Sequence, residues 1–247
     1  GDQRGLMRRL FAESLGAVGS AAIPALRKAL LDHPNVTVRR AAAKTLKLIG
    51  DSRLWPDLLK ALINDKDPVV QGSSVAAMAI FGEESVSLFL EVLANPKSTS
   101  MQCGLASWGL EFVGAAAPTA LKKAAQSKEP TIRTAAIAAL GDQIQLLGDE
   151  DAKSLLLRAL DDPSEDVRIE ATAMLGRLQA LNWAYPLLMA KLTESSPLVR
   201  KNAALSLMKL KAVNAINELN NRVLTEKDPE VQAVLRLAIN QLKRITD

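Results

Sequence analysis

Residues 36–68 read VTVRRAAAKTLKLIGDSRLWPDLLKALINDKDP. Val38, Ala42, Leu46 and Ile49 fall at i, i+4, i+8 and i+11, one face of an α-helix, and Gly50 stands where a C-cap needs a positive φ. Pro56 lies in the first turn of a second segment, where a missing N–H costs nothing. Leu58, Leu59, Leu62 and Ile63 give that segment an apolar stripe, and Asp67-Pro68 closes the unit.

The same pattern recurs along the chain. The pairs Met7-Arg8, Val38-Arg39, Val70-Gln71, Met101-Gln102, Ile132-Arg133, Val167-Arg168, Val199-Arg200 and Val231-Gln232 are spaced by 31 to 35 residues, the signature of a helical repeat array. Gly19, Gly82, Gly114 and Gly148 occupy the cap position of Gly50, with Ala180 and Ala212 there in later units, and Pro34, Pro68, Pro130, Pro163, Pro197 and Pro229 mark the turns between units. The reading is all-α: one α-solenoid of HEAT-like helix pairs, about 15 helices, forming a curved right-handed superhelix. Its units are about 1–34, 35–66, 67–97, 98–129, 130–163, 164–196 and 197–228, with a terminal helix at 229–247 whose Arg236, Asn240, Gln241 and Lys243 form a polar cap. Two units depart from the pattern. The first helix of the fifth, TIRTAAIAALGDQIQLLG, runs about one turn long, which predicts a kink or a change of superhelical curvature; the fourth, STSMQCGLASWGLEFVG, crowds Cys103, Gly104, Ala106, Ser107 and Gly109 around Trp108.

Composition agrees with this architecture. Nearly half of the 247 residues are apolar but only 3% are aromatic, which suits closely packed helices rather than strands. A lone cysteine, Cys103, forms no intramolecular disulfide and points to a reducing, cytoplasmic location; no stretch is apolar enough to span a bilayer and Gly1 to Arg4 carry no signal-peptide pattern. Net charge is only +4, but residues 1–50 carry nine basic side chains against Asp2, Glu13 and Asp32. The positive face therefore belongs to the N-terminal units, and the acidic balance after residue 50 argues against nucleic acid.

The Arg of each Val-Arg pair has an architectural role: Arg39, Arg133, Arg168 and Arg200 are spaced to meet acids such as Asp32, Asp67, Asp161 and Asp162 in neighbouring turns. Aligning the second helices stacks Lys28, Lys60, Glu91, Lys123, Arg158, Ala190 and Arg222, five of seven basic, either a groove for an anionic ligand or acidic protein face or a row of solvated helix ends. Trp108 is either a stacking or anchoring residue or a filler of the space left by Gly104 and Gly109. Trp55, Trp183 and Tyr185 each lie at the start of a second helix, as partner contacts on one rim or as staples of the inter-helix turn. His33, the single histidine, supports no metal site or acid–base pair, which excludes the helical-repeat hydroxylases; no Walker loop, nucleophile elbow, zinc pattern or dinucleotide fingerprint is present.

The stretches SLGAVGSAAIPALRKALLDHPNVTVRRAAAKTLKLIGD and PTIRTAAIAALGDQIQLLGDEDAKSLLLRALDDPSEDVRIEATAML carry the pattern P-x-L-x-x-A-L-x-D…V-R-x-x-A-A-x-x-L-x-x-I-G and resemble HEAT repeats. The run CGLASWGLEFVGAAAPTALKKAA narrows the resemblance to the short, Ala-rich HEAT-repeat phycobiliprotein (bilin) lyases and phycobilisome assembly factors of cyanobacteria. That resemblance covers nearly the whole chain and brings no short catalytic motif. It implies a phycobilin lyase or chaperone-like factor that assists thioether attachment of a bilin to a cysteine of a phycobiliprotein subunit. The nucleophile then belongs to the substrate, no resident cofactor or metal is needed, and the helper positions a tetrapyrrole with two propionates. Lys28, Lys60, Lys123 and Arg158 are the expected carboxylate contacts, and Trp108 and Tyr185 the contacts to the π system. The alternatives are a non-enzymatic scaffold for an acidic protein and, third, a nucleic-acid-binding HEAT-like protein.

Overall fold

The computed structural model describes residues 10, 13, 14, 16–179 and 181–246, so the Met7-Arg8 pair and Ala180 lie outside the described residues. Every regular element among those described is helical. The chain gathers into two compact units, Gly1–Leu121 and Lys122–Asp247. In the first lie α1 (Ile23–Asp32), α2 (Val36–Ile49), α3 (Trp55–Asn64), α4 (Pro68–Ala79), α5 (Val86–Ala94) and α6 (Ser100–Val113); α7 (Pro118–Ala124) spans the boundary. The second holds α8 (Pro130–Ala139), α9 (Gly141–Gln145), α10 (Glu150–Ala159), α11 (Glu165–Leu175), α12 (Leu181–Lys191), α13 (Pro197–Lys209), α14 (Ile216–Thr225) and α15 (Pro229–Thr246).

Local chemistry sets the ends of these helices. Asn35 accepts from the Thr37 N–H at 2.8 Å, Asp67 from those of Val69 and Val70, and Asp149 from those of Asp151 and Ala152, so orphan first-turn donors are satisfied. Thr99 and Gln102 form a reciprocal capping box at the start of α6. Pro68, Pro130, Pro197 and Pro229 are the first residues of their helices. At the exit of α2, Gly50 adopts φ 62°, as the sequence requires of a left-handed cap. In the later unit the sequence places Ala212 at that position, but the positive φ, 54°, falls one residue earlier on Lys211, the one such non-glycine among the described residues.

First helices pack on first helices, α2 on α4, α4 on α6, α8 on α11, α11 on α13 and α13 on α15, with second helices against them. The seams are made of small side chains. Ala42, Ala43, Val75, Ala77, Ala106, Ala136, Ala171, Ala203 and Ala204 are buried, and Leu30, Leu46, Leu58 and Leu62 fill the layer between the helix rows. Each fully buried Leu contributes about 1.5–3 kcal/mol of transfer free energy. At Gly109 a Cβ would lie 2.7 Å from Phe89 Cε1 and 2.9 Å from Val75 Cγ1, so α6 approaches α4 and α5 too closely for any side chain there.

Between units of the repeat runs a ladder built on the Val-Arg pairs. Arg39 donates from Nη1 to the carbonyls of His33 and Pro34 and pairs with Asp65 at 2.7 Å. Arg133 contacts the carbonyls of Ser127 and Lys128 and the Asp162 carboxylate; Arg168 those of Asp162 and Pro163 and Glu194; Arg200 those of Glu194 and Ser195 and Glu226. Asp162 was an expected partner, while Asp65, Glu194 and Glu226 stand where Asp32, Asp67 or Asp161 had been expected. Asp67 instead caps α4 and holds Arg40. Gln71 and Gln232 keep the backbone half of the interaction, donating from Nε2 to the carbonyls of Asp65 and Glu226.

The long helix of the fifth unit is broken as its length predicts: α8 stops at Ala139, Leu140 links it to the short α9, and Gly148 closes the turn at φ 63°. Pro186 lies inside α12 rather than in a first turn, because that helix begins at Leu181.

Candidate ligand-binding surfaces

Two surfaces hold the residues that the architecture leaves over. One is the row of second helices. Lys28 on α1, Lys60 on α3, Lys123 on α7 and Arg158 on α10 are all exposed, as are Glu91 and Ala190, while Arg222 is half-buried beside Glu226. Among the described residues Lys28, Lys60 and Lys123 form no ion pair, and Arg158 only returns its Nε to the Ser154 carbonyl at 3.4 Å. Their neighbours are spoken for: Arg27 holds Asp57, Lys122 holds Asp149 at 2.7 Å, and Lys191 holds Asp161 at 2.7 Å.

Two members of the row line clefts at corresponding places in the repeat. In the Gly1–Leu121 unit a cleft of about 240 Å³ opens between the C-terminal ends of α1 and α3, with Lys60, Lys66, Asn64 and His33 on its walls and the Arg39–Asp65 pair at its floor. In the Lys122–Asp247 unit a cleft of about 130 Å³ takes Arg158, Gln126, Leu155 and Asp162 as its lining. Burial raises the Asp162 carboxyl, but the hydrogen bonds from Arg133 and the Ser164 N–H outweigh it and leave its pKa below the usual value. The ladder guanidinium of Arg39 is held above its ordinary pKa by its hydrogen bond to Asp65, against a smaller desolvation effect. These ladder charges are committed to one another, so binding of an outside anion falls to the unpaired lysines.

The other surface is the face of the first helices in the Gly1–Leu121 unit. Trp108 on α6 is 43% exposed and Phe112, one turn on, 52% exposed. Their ring centroids lie 5.9 Å apart, and Lys47 Nζ from α2 stands 5.6 Å from the Phe112 centroid, a cation–π contact. The space-filling alternative for Trp108 fails here: the site beside Gly109 is occupied by the fully buried Phe89, and the space beside Gly104 is open. Phe112 and Lys47 were missed in the sequence. The i, i+4 spacing of Trp108 and Phe112 was the available signal, but the Lys47 contact joins helices far apart in the chain.

The structure does not bring Trp108 to the basic row, since it sits on a first helix and Lys28 and Lys60 on second helices. Trp55 behaves as a staple, packed edge-on against Phe81 with centroids 5.3 Å apart. Tyr185 is half-buried on α12, where the neighbouring Trp183 takes Lys153 over its ring at 5.3 Å. Among the described residues no cluster of His, Cys, Asp and Glu is arranged to hold a metal ion, and no helix is long and apolar enough to cross a membrane.

The family model for HEAT repeats matches residues 1–79, 23–102, 104–176 and 155–240. The chain belongs to the HEAT-repeat family. Within it, this HEAT-repeat chain is 42% identical over 177 residues to bilin biosynthesis protein MpeU of Synechococcus sp. (strain WH8020), an alignment covering 72% of this chain and 60% of MpeU. It is 36% identical over 105 residues to the uncharacterized phycocyanin operon protein Z of Pseudanabaena tenuis (strain PCC 7409), covering 40% of this chain and 52% of that protein. The chain thus spans between about half and three-fifths of these relatives. Among solved structures Kap95p superposes with a TM-score of 0.58 at 13% identity, covering 98% of this chain and 39% of that one, a likeness of fold.

Proposed function

We propose that this HEAT-repeat chain handles a bilin during chromophore attachment. As a phycobilin lyase or chaperone-like factor it binds the tetrapyrrole and a phycobiliprotein subunit, in the cytoplasm, and assists thioether formation with a subunit cysteine. The observation that carries this reading is the extended identity to bilin biosynthesis protein MpeU, which runs through most of the chain. The chemistry asks for no nucleophile of the chain's own: the reacting thiol belongs to the acceptor, and what the helper contributes is orientation of two bound reactants. Unpaired Lys28, Lys60, Lys123 and Arg158 supply contacts for carboxylates on the ligand or the partner, and Trp108 and Tyr185 supply aromatic surface.

Co-expression with bilin-synthesis enzymes and candidate acceptor subunits tests this. Covalent colour on the acceptor in a denaturing gel rises when the chain is present; equal colour with and without it, for every acceptor and bilin tried, refutes the reading. A second reading, a non-enzymatic scaffold for an acidic protein, is favoured by the solvent-facing basic row, from which Trp108 is set apart on a first helix. Stoichiometric capture of one acidic partner, unchanged by bilin, supports the scaffold instead.

A further inference from the structure

The first-helix face of the Gly1–Leu121 unit is unlike an ordinary repeat surface. Helix α4, PVVQGSSVAAMA, carries no charged residue, and α6, SMQCGLASWGLEFV, carries only Glu111. Leu48 on α2, Val69 on α4, Ile80 just past its end, and Met101, Trp108 and Phe112 on α6 are all exposed. Exposed apolar side chains gathered on one helix row make a candidate binding surface.

Its relief is specific. Helix α4 packs between α2 and α6, yet Lys47 of α2 reaches the Phe112 ring of α6. Along the solvent-facing stripe of α4, the short side chains of half-buried Gly72, Ser73 and Ala76 lie between exposed Val69 and Ile80. The result is a trough with a floor of small residues, a wall of lysines on α2 and a wall of aromatics on α6. Lys44 is exposed, Lys47 half-buried, and among the described residues neither pairs with a carboxylate. At i, i+3 their Cβ atoms are about 5–6 Å apart, one helical turn.

We infer that this trough seats a planar, conjugated dicarboxylate, an open-chain tetrapyrrole, with its rings against Trp108 and Phe112 and its two propionates on Lys44 and Lys47. The inference rests on the bilin reading above and adds the place, the orientation and two lysines outside the second-helix row. Charge complementarity selects this occupant over a wholly apolar one: two unpaired ammonium groups border an aromatic surface on which α4 carries no charge and α6 only Glu111, so a ligand needs a π face and anions on the lysine edge. Binding exchanges the Lys47–Phe112 cation–π contact for an ammonium–carboxylate pair. The second-helix row, Lys28 and Lys60 included, is then left for an acidic protein face.

Absorbance titration of the purified chain with biliverdin and with its dimethyl ester tests the assignment. Trp108→Ala and Phe112→Ala each weaken biliverdin about tenfold. The double variant Lys44→Gln/Lys47→Gln weakens biliverdin by about tenfold and leaves the ester, which has no anions to lose, unchanged. Lys28→Gln/Lys60→Gln lowers capture of the acidic acceptor subunit rather than the affinity for biliverdin. All these side chains reach solvent, and matching far-ultraviolet melting curves verify that the variants fold. If the second-helix pair weakens biliverdin while the trough variants bind as wild type, the trough assignment falls and the bilin reading stands. If Trp108→Ala keeps biliverdin but loses co-purification of an apo-phycobiliprotein, the trough docks protein and the assignment is overturned. A wild-type chain that binds neither compound overturns both.

Discussion

Gly104 and Gly109 lie on different faces of α6, the first exposed and the second buried, and have opposite duties. A Cβ at Gly104 meets nothing within 4 Å, whereas one at Gly109 runs into Phe89 and Val75. Gly104→Ala therefore removes only the entropy cost of a helical glycine and stabilises by about 0.5–1 kcal/mol. Gly109→Ala forces Phe89 or α6 itself to shift and destabilises by about 1–3 kcal/mol. Urea unfolding midpoints of the two variants should move in opposite directions. A titrating residue gives a second test. Glu226 has its pKa lowered to about 2, first by the bidentate Arg200 pair, against desolvation, and further by the N–H groups of Asp228 and Lys227. The folded carboxylate thus resists protonation that the unfolded one accepts, so its stabilisation is fully present above its ordinary pKa of 4.5 and is lost as pH falls through about 2. Asp67, also lowered to about 2 through Arg40, adds the same sign. Unfolding free energy should fall with acidification across that window, and Glu226→Gln should flatten part of the fall.

At the scale of the element, the recurring unit is a helix pair whose ends are stitched by one arginine. The guanidinium performs two tasks, binding two carbonyls at the end of the preceding turn and one carboxylate in the next unit. The glutamines at 71 and 232 perform the first alone, which explains why they replace arginine there. Arg168→Gln should accordingly cost less than Arg168→Ala, which leaves half-buried carbonyls without a donor; the expected gap is about 1 kcal/mol, read from thermal or urea unfolding. These elements were legible because their signals are local: Gly50 needs its left-handed φ, Pro68 tolerates only a first turn, and the extra length of the fifth unit's first helix pointed to a kink or change of curvature, which the structure places after Ala139. What was not legible depended on distance between elements. Asp65 rather than Asp32 or Asp67 meets Arg39 because Asp67 is consumed as a cap, and Lys47 meets Phe112 on a helix far along the chain. The positive φ slid from Ala212 to Lys211 for a similar reason, since no glycine fixes the cap there.

On the scale of the molecule, a repeat array responds to damage locally, because each unit draws its stability mainly from its neighbours. Hydrogen exchange on the Gly109→Ala variant should quicken in α4, α5 and α6 and leave α13 and α15 as protected as before. The separation of roles follows the same logic: arginines and acids of the ladder build the array, while the lysines they leave unpaired and the exposed aromatics of α6 are free to bind. The candidate site was half legible, Lys28, Lys60, Lys123, Arg158, Trp108 and Tyr185 by subtraction of the repeat, while Lys44, Lys47 and Phe112 required the packing of α2, α4 and α6. The central claim is that the chain orients a bilin toward an acceptor cysteine. Its most direct test mixes purified chain, free phycobilin and an apo-phycobiliprotein subunit and follows the intact mass of the subunit over time. A one-bilin adduct at a single cysteine is expected, formed faster and with fewer side products than without the chain. The same rate and the same mixture of adducts in its absence would contradict it.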